Sequence, residues 1–443
     1  MNVMRVRMRA VVVGCVLLGL GLDSCGAGGG TKEAMSGSPA RVELASSKLG
    51  RAHPTVADND LRAAATATNA FAVDLYRRWK KNSPNLVFSP YSISLALAMT
   101  FAGAKGETAE ELRRALHLAL ADDRVHDALN ALDQAITHPT SPVSGTTPPE
   151  IAVANSLWGQ AGYPFRSAFL DLLAREYGAG LHLVDYRRDP EAARAAVNAW
   201  AEEATHGRIK DVIPPGVIND MTRLVLADAI YFKAQWVREF SPRDTQEAGF
   251  HALDGRTVRV SMMSRRGHKV AYNSGDGYQV AEFPYWGGYS MTAILPAEGT
   301  FAAFENALTP TRLDAILSGL HEAQLDVQMP KFAFEADASI KEMLAGLGVK
   351  AAFMPPGGDA GADFTGMTAA RELFLRDVLH KAFISVDEHG TEAAAATAVV
   401  MERVSGAPPA VLHLDRPFLF VIRHQSSGTI LFMGRVTDPT SSH

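Results

Sequence analysis

The stretch that decides the fold of this 443-residue chain reads Glu388-His-Gly-Thr-Glu-Ala-Ala-Ala-Ala-Thr-Ala-Val-Val-Met-Glu-Arg-Val-Ser-Gly-Ala-Pro-Pro409. A run rich in strand-forming residues, Leu373–Glu388, leads into it, and Gly390 permits a hinge. Nearly every side chain from Thr391 to Val400 is small, and a heterogeneous loop follows. The chain then returns to the strand-like Phe418-Leu-Phe-Val-Ile422. This composition is typical of a segment that can enter a β-sheet.

The small segment has two faces if it is extended, because side chains alternate along a strand. One face carries no charge and consists of Thr391, Ala393, Ala395, Thr397, Val399 and Met401. Glu392 and Glu402 lie on the other face. The plainest alternative is an exposed alanine-rich helix, since alanine is the best helix former.

Composition excludes several functional classes. The apolar content of 47% and the charged content of 21% are ordinary for a globular protein, and the net charge of -5 disfavours a nucleic-acid binder. No nucleophile elbow, phosphate-binding loop or zinc-protease motif occurs in the sequence. We therefore expect no enzyme activity, no cofactor and no metal site.

The N-terminus has the features of an export signal. Basic residues precede the apolar run Ala10–Leu22, which is short for a membrane span of roughly 20 residues. Both cysteines, Cys15 and Cys25, lie in this region. The sequence Leu22-Asp-Ser-Cys25 resembles a bacterial lipoprotein signal, which predicts a signal peptide over residues 1–24 and a lipid on Cys25. The alternative is cleavage and release, so the protein is expected outside the cell or anchored to its envelope.

The remaining chain is predicted to be a flexible linker over residues 25–60 and one α+β domain over residues 61–440. Helical patterns dominate its first part and strand patterns its second, which favours large antiparallel or mixed β-sheets over a doubly wound fold. Among the predicted elements are a helix at Asp122–Thr137, a helix at Phe301–Ser318 and a strand at Leu373–Val386.

Many motifs, in order, are similar to those of the serpin family, and the resemblance spans roughly Leu61 to Pro439. The motifs are Asn85-Leu-Val-Phe-Ser-Pro-Tyr-Ser-Ile-Ser-Leu-Ala-Leu97, Phe101-Ala-Gly-Ala-Lys-Gly-Glu-Thr108, Asn155-Ser-Leu-Trp158, Asn198-Ala-Trp200, Thr205-His-Gly-Arg-Ile209, Leu226-Ala-Asp-Ala-Ile-Tyr-Phe-Lys-Ala-Gln-Trp236, His380-Lys-Ala382, Asp415-Arg-Pro-Phe-Leu-Phe420 and Leu431-Phe-Met-Gly-Arg-Val436. The resemblance implies the serpin fold, with about eight to nine helices and an exposed reactive-centre loop at about residues 388–412.

The resemblance also implies a function, suicide-substrate inhibition of serine proteases by a monomeric protein. A protease attacks the loop and forms an acyl-enzyme, and the freed loop then inserts into a central sheet as a new strand. The alternative within the same family is a non-inhibitory carrier, chaperone or substrate. Nucleic acid is not an expected partner, and a membrane is expected only through the N-terminal lipid.

Loop residues carried over from the family fall into two groups. The hinge comprises Glu388, Gly390, Thr391, Glu392, Ala393, Ala394, Ala395, Ala396 and Thr397. In the family the reactive bond typically follows the seventeenth residue counted from the hinge glutamate, so the resemblance implies a bond at Val404–Ser405, which suits an elastase- or subtilisin-like protease. A hinge one residue shorter places it at Arg403–Val404 and favours a trypsin-like protease. Bulky or charged hinge residues, such as arginine at 391 or glutamate at 395, are expected to convert an inhibitor into a substrate.

A second set of residues is implied to control sheet opening. Ser89, Ser92 and His380 match the region that the family calls the shutter, although Ser89 and Ser92 could also simply cap a helix that begins at Pro90. Asp228 departs from the asparagine that the family usually has, and a charged pair with His380 would make sheet opening depend on pH. Trp236 matches the place where the loop enters the sheet, or else it is a core tryptophan.

Overall fold

The computed structural model describes residues 41–81, 84–138, 148–357, 361–391 and 408–441. The predicted signal peptide, Cys25, the hinge from Glu392 to Thr397, and Arg403, Val404 and Ser405 lie outside these residues. Within the described ranges, no helix combines the length and the apolar character needed to cross a bilayer. The same ranges contain no cluster of histidine and carboxylate side chains that could hold a metal ion.

Nine α-helices are present in the described part of the chain. They are α1 Asp58–Trp79, α2 Pro90–Phe101, α3 Gly106–Ala115, α4 Asp122–Thr137, α5 Ser167–Leu172, α6 Pro190–Ala204, α7 Phe301–Asn306, α8 Pro310–Ser318 and α9 Lys341–Gly346. A π-helical turn, Leu173–Tyr177, continues α5. Two 3-10 turns occur at Pro242–Asp244 and Ala351–Phe353.

The strands alternate with these helices and become more frequent after α6. They are β1 Glu43–Ala45, β2 Leu86–Phe88, β3 Glu150–Gln160, β4 Leu181–Val184, β5 Leu224–Gln235, β6 Gln246–His251, β7 Thr257–Gly275, β8 Tyr278–Tyr285, β9 Tyr289–Pro296, β10 His321–Pro330, β11 Phe332–Ser339, β12 Asp377–Val386, β13 Gly390–Thr391, β14 Ala410–His413, β15 Phe418–His424 and β16 Ile430–Val436. This is the α+β composition that the sequence predicts.

The strands form two mixed sheets. The seven-stranded sheet has the order β1-β4-β3-β5-β13-β12-β11, and β5 also pairs directly with β12. That direct pairing is parallel, whereas β3 and β11 run antiparallel to their neighbours β5 and β12. The nine-stranded sheet has the order β14-β10-β7-β8-β9-β15-β16-β2, with β6 paired to β7.

Both faces of the central strand β5 are buried. Leu226, Ile230 and Phe232 point into the main core. The residues of opposite parity, Ala227 and Ala229, pack into a second apolar cluster to which α6 contributes Val197 and Ala201. A strand that lies beside β5 therefore meets apolar packing on both sides of the sheet.

The predicted flexible linker extends too far along the chain. Glu43–Ala45 forms strand β1, which pairs antiparallel with Leu181–Leu183 of β4, and α1 begins at Asp58 rather than Leu61. Arg51 donates from Nε to Asn130 Oδ1 at 2.9 Å and forms an ion pair with Asp133. A composition rich in Gly, Ala and Ser cannot reveal such pairing, because the partners lie far away in sequence.

Replacing Arg51 by methionine is expected to destabilise the intact protein. Asp133 is only 8% exposed, so the loss of its ion-pair partner leaves a nearly buried carboxylate with the Tyr91 hydroxyl as its remaining side-chain donor. We expect a loss of about 1–3 kcal/mol in the free energy of unfolding, measured by denaturant titration. The exposed Lys48→Met serves as the control and should stay within about 0.5 kcal/mol of the parent. Equal stability of both variants would contradict this reading of Arg51.

Helix and strand boundaries differ from the predictions where a local signal was overlooked. The predicted helix Phe301–Ser318 is two helices, because Thr309 caps a new helix by accepting from the backbone N–H of Arg312, and Pro310 occupies its first position. The predicted strand Leu373–Val386 begins only at Asp377. The helix Asp122–Thr137 has the predicted bounds.

Candidate functional site

The beginning of the hinge already lies inside the seven-stranded sheet. Gly390 and Thr391 form β13, which pairs antiparallel with Gln235 and Ala234 of β5. On its other side Thr391 pairs with Val386 of β12. The strands β5 and β12, which pair directly further along, are thus separated by the hinge at this end of the sheet. We call this end the hinge end.

Glycine is required at position 390 for two reasons. The φ angle of Gly390 is +152°, which L-residues rarely adopt. A Cβ atom at this position would also collide with the carbonyl oxygen of Ala234. The hinge therefore approaches β5 more closely than any residue with a side chain allows.

A tight turn connects β12 to the hinge. The Asp387 carboxylate accepts from the backbone N–H of His389 at 2.8 Å and of Gly390 at 3.2 Å. The Asp387 N–H in turn donates to the Gly390 carbonyl at 3.0 Å. Asp387 is not among the predicted site residues, although an aspartate three residues before a glycine is a recognisable turn signal.

Trp236 holds this turn. Its backbone N–H donates to the His389 carbonyl at 2.9 Å, and its indole Nε1–H donates to the Asp387 carbonyl at 3.0 Å. The indole ring stacks on Tyr285 with ring centroids 4.1 Å apart. The structure therefore places Trp236 where the loop enters the sheet, and at 2% exposure it is also a core residue.

Glu388 is the charged anchor of the hinge end. Its carboxylate accepts from Lys331 Nζ at 2.8 Å and from Thr245 Oγ1 at 2.8 Å, and its carbonyl accepts from the Phe240 N–H at 2.9 Å. Burial alone would raise the pKa of Glu388, but the bonds from Lys331 and Thr245 outweigh it and hold the pKa below its ordinary value. Next to it, His389 Nδ1 lies 3.0 Å from Glu239 Oε2.

The lowered pKa of Glu388 predicts a stability contribution that disappears in acid. Because the folded-state pKa lies below the ordinary 4.5, the contribution is complete above pH 4.5 and is lost as the pH falls through the lowered pKa. Glu388→Gln should therefore lower the thermal midpoint at pH 7 and have a much smaller effect at about pH 3. The exposed Glu342→Gln is the control, with a small effect at both pH values. A midpoint difference for Glu388→Gln that is the same at both pH values would count against the anchor.

Thr391 shows which face of the hinge meets the core. It is 1% exposed, and its Oγ1 lies 2.6 Å from the Tyr285 hydroxyl. Burial raises the pKa of Tyr285 far above its ordinary value, which keeps this hydroxyl neutral. The uncharged face predicted from the alternation of side chains therefore points inward at its first residue; its other members lie outside the described residues.

The shutter residues meet where β3, β5, β12 and α2 converge. The Ser89 N–H donates to His380 Nε2 at 3.2 Å, and His380 Nδ1 lies 2.5 Å from Asp228 Oδ1. Ser92 Oγ donates to Asn155 Oδ1 at 2.8 Å. Ser89 also caps α2, so the capping role weighed from the sequence is present as well. Asn155 was missed as a site residue, although it lies in one of the family motifs.

Hydrogen-bond roles define the protonation of His380. A backbone N–H can only donate, so Nε2 accepts from Ser89 and Nδ1 carries the hydrogen that is donated to Asp228. The geometry thus fits a hydrogen bond from Nδ1–H to the Asp228 carboxylate, whereas the charged pair hypothesised from the sequence would need a second ring hydrogen on Nε2, where the Ser89 N–H donates. Both side chains are fully buried, and Asp228 Oδ2 has no hydrogen-bond partner among the described residues. A pH dependence of sheet opening stays a prediction.

A mixed sheet with a glycine hinge entering beside its central strand, above a buried polar cluster, defines the serpin class of fold. Residues 66–439 match the model of the family described as serpin (serine protease inhibitor), and the chain belongs to this family. An uncharacterised serpin-like protein of Thermococcus kodakarensis is 40% identical over 84% of this chain and 85% of that protein. The leukocyte elastase inhibitor of Equus caballus is 36% identical over 84% of this chain and 99% of that protein.

Solved structures agree with this assignment. The crystal structure of human thyroxine-binding globulin in complex with thyroxine has a TM-score of 0.76 and 27% identity, and the match covers 86% of this chain and 100% of that one. The relatives thus include a protein named as an elastase inhibitor and one named as a thyroxine-binding globulin. Family membership and fold are thereby established.

Proposed function

We propose that this protein inhibits a serine protease as a suicide substrate, by inserting its cleaved loop between β5 and β12. The observation that carries the proposal is β13, because the hinge is already paired with both strands between which the new strand has to lie. The identity to the leukocyte elastase inhibitor over nearly the whole of that protein supports it.

The register of β13 defines where the following residues go on insertion. Because Thr391 pairs with Ala234 and Val386, an antiparallel continuation places Ala395 opposite Ile230 and Ala382. Two residues later, the same register places Thr397 between Asp228 and His380. These two residues are now in contact, so insertion has to break their hydrogen bond.

Packing on both sides of the sheet explains why nearly every side chain of the segment is small. In this register, the core-facing residues Ala393 and Ala395 meet the main core beside Phe232 and Ile230. The residues of the other parity, Ala396 and Ala398, come opposite Ala229 and Ala227, which the α6 cluster covers. Alternation alone does not require small residues on the second face, whereas the cover of α6 does.

Insertion of this length can trap the protease. The catalytic serine oxygen of the protease attacks the carbonyl carbon of the reactive bond, an ester to the loop forms, and the amine of the next residue leaves. Strand β5 has 12 residues, so a complete new strand alongside it extends roughly 40 Å. The esterified protease is carried over this distance, and its distortion stalls hydrolysis of the ester.

The reactive bond is proposed at Val404–Ser405, with Arg403–Val404 as the alternative. The first favours an elastase- or subtilisin-like target and the second a trypsin-like target. In the register of β13, β5 accommodates the inserted chain up to Met401, so either bond lies a few residues beyond the end of the new strand.

The test is incubation with pancreatic elastase, subtilisin and trypsin, followed by denaturing electrophoresis and mass spectrometry. An inhibitor gives an SDS-stable complex with at least one protease, and the mass of the released C-terminal peptide identifies the bond. Cleavage in the loop without an SDS-stable complex with any of the three proteases is the behaviour of a carrier or plain substrate, and that outcome contradicts the proposal.

A further inference from the structure

A basic cavity lies at the C-terminal end of α1, and none of the described residues that line it belongs to β5, β12 or β13. The cavity has a volume of about 540 Å³, and the residues that line it include Asp74, Arg77, Arg78, Lys80 and Lys81 of α1 and its flank. Asn306, at the end of α7, and the end of α9 complete the wall. We call this the α1 basic cavity.

Three of its four cations have no partner among the residues that the structure describes. The side chains of Arg77, Arg78 and Lys81 make no ion pair or hydrogen bond with any residue in the described ranges. Lys80 donates to Asn306 Oδ1 at 2.9 Å, which is a neutral acceptor. Asp74 is the single carboxylate among the described residues that line the cavity. Its Oδ2 lies 2.9 Å from Nε2 of His117. Within the described part of the chain, the positive charge of the cavity is therefore not neutralised.

The cations also affect one another. Burial lowers the pKa of the Lys80 ammonium, Glu305 raises it in part, and repulsion from Arg435, Arg77 and Lys81 adds to the lowering. A bound anion would relieve this repulsion. The whole protein carries a net charge of -5, so general attraction of anions does not account for such a local cluster.

The negative end of the helix dipole offers a structural explanation for basic residues here. Arg77 and Arg78 do lie in the last turn of α1. A basic side chain with that role typically bonds the last carbonyl groups of its helix. None of the three unpartnered cations does so, and Lys81 lies beyond the helix end.

We propose that the α1 basic cavity binds an anion that carries two or more phosphate or sulfate charges. Two guanidinium groups can engage such oxyanions in bidentate fashion, and two ammonium groups add point charges beside them. The volume of the cavity admits an anion larger than a single phosphate.

The test uses calorimetric titration of the full chain with pyrophosphate at low ionic strength. The parent protein should bind, and Arg77→Ser/Lys81→Ser should weaken binding at least about tenfold, since each charge-assisted bond lost weakens binding by roughly that factor. The matched control, Arg188→Ser/Arg259→Ser, also removes two positive charges, from exposed arginines outside the cavity, and should bind like the parent. Thermal transitions of both variants verify that they fold.

Three outcomes overturn the proposal, namely no binding of pyrophosphate by the parent, unchanged binding by the Arg77→Ser/Lys81→Ser variant, or an equal loss in the control variant. Co-sedimentation with phosphatidylglycerol vesicles, compared with phosphatidylcholine vesicles, then tells a lipid headgroup from a free anion as the source of the charges. Binding to either ligand supports the site if the Arg77→Ser/Lys81→Ser variant loses that binding. Binding that this variant retains contradicts the site. None of these measurements depends on protease inhibition.

Discussion

Replacing Ala395 by glutamate is expected to abolish protease trapping and to leave loop cleavage intact. In the register of β13, residue 395 comes between Ile230 and Ala382, which are both completely buried and face the main core. Burying an unpaired carboxylate there costs several kcal/mol, so the loop does not insert. The protease is then not distorted, and the ester that joins it to the loop is hydrolysed. The variant should appear as a cleaved protein without any SDS-stable complex.

The control for this experiment is Ala407→Glu, which adds the same charge beyond either proposed reactive bond. This residue does not enter the sheet in the proposed mechanism, so its variant should still form the complex. If Ala395→Glu forms as much complex as the parent, the inserted register is wrong.

Replacing His380 by leucine is expected to weaken the closed sheet strongly. The imidazole accepts from the Ser89 N–H and donates to Asp228, and all of these groups are buried. Its removal leaves a buried carboxylate without any donor and an orphaned N–H, at a cost of about 3–5 kcal/mol. The intact variant should unfold at a lower temperature, and it should insert its uncleaved loop or polymerise faster.

A double variant separates the hydrogen bond from packing. Asp228→Leu/His380→Leu removes both partners, so no unpaired carboxylate remains, and it should recover much of the stability that His380→Leu loses. Additive losses in this double-mutant cycle, measured by thermal and denaturant unfolding, would show that the Asp228–His380 contact does not hold the sheet closed.

The sequence predicts the parts of the fold and of the site that depend on local pattern. The helix Asp122–Thr137 has the expected bounds because its apolar residues repeat clearly and its first turn is acidic. Gly390 is identified as a hinge because few other residues can adopt its conformation. The inward orientation of Thr391 follows from alternation along the strand.

Contacts between residues distant in sequence could not be predicted in the same way. Lys331 neutralises Glu388 and Asn155 binds Ser92, but neither residue carries a local signal for its partner. The partial insertion of the hinge depends on the pairing of β5 with residues 155 and 157 positions away, which no periodicity reveals. Strand β1 is missed for the same reason, because only β4 makes it a strand.

The central claim is that the cleaved loop becomes a strand of the seven-stranded sheet. The most direct test is thermal unfolding of the intact protein and of the protein nicked at its reactive bond. A new strand beside the 12 residues of β5 adds backbone hydrogen bonds that net on the order of 10 kcal/mol, so the nicked form should unfold at a much higher temperature. A nicked form that unfolds at the same temperature as the intact protein, or at a lower one, would contradict the account.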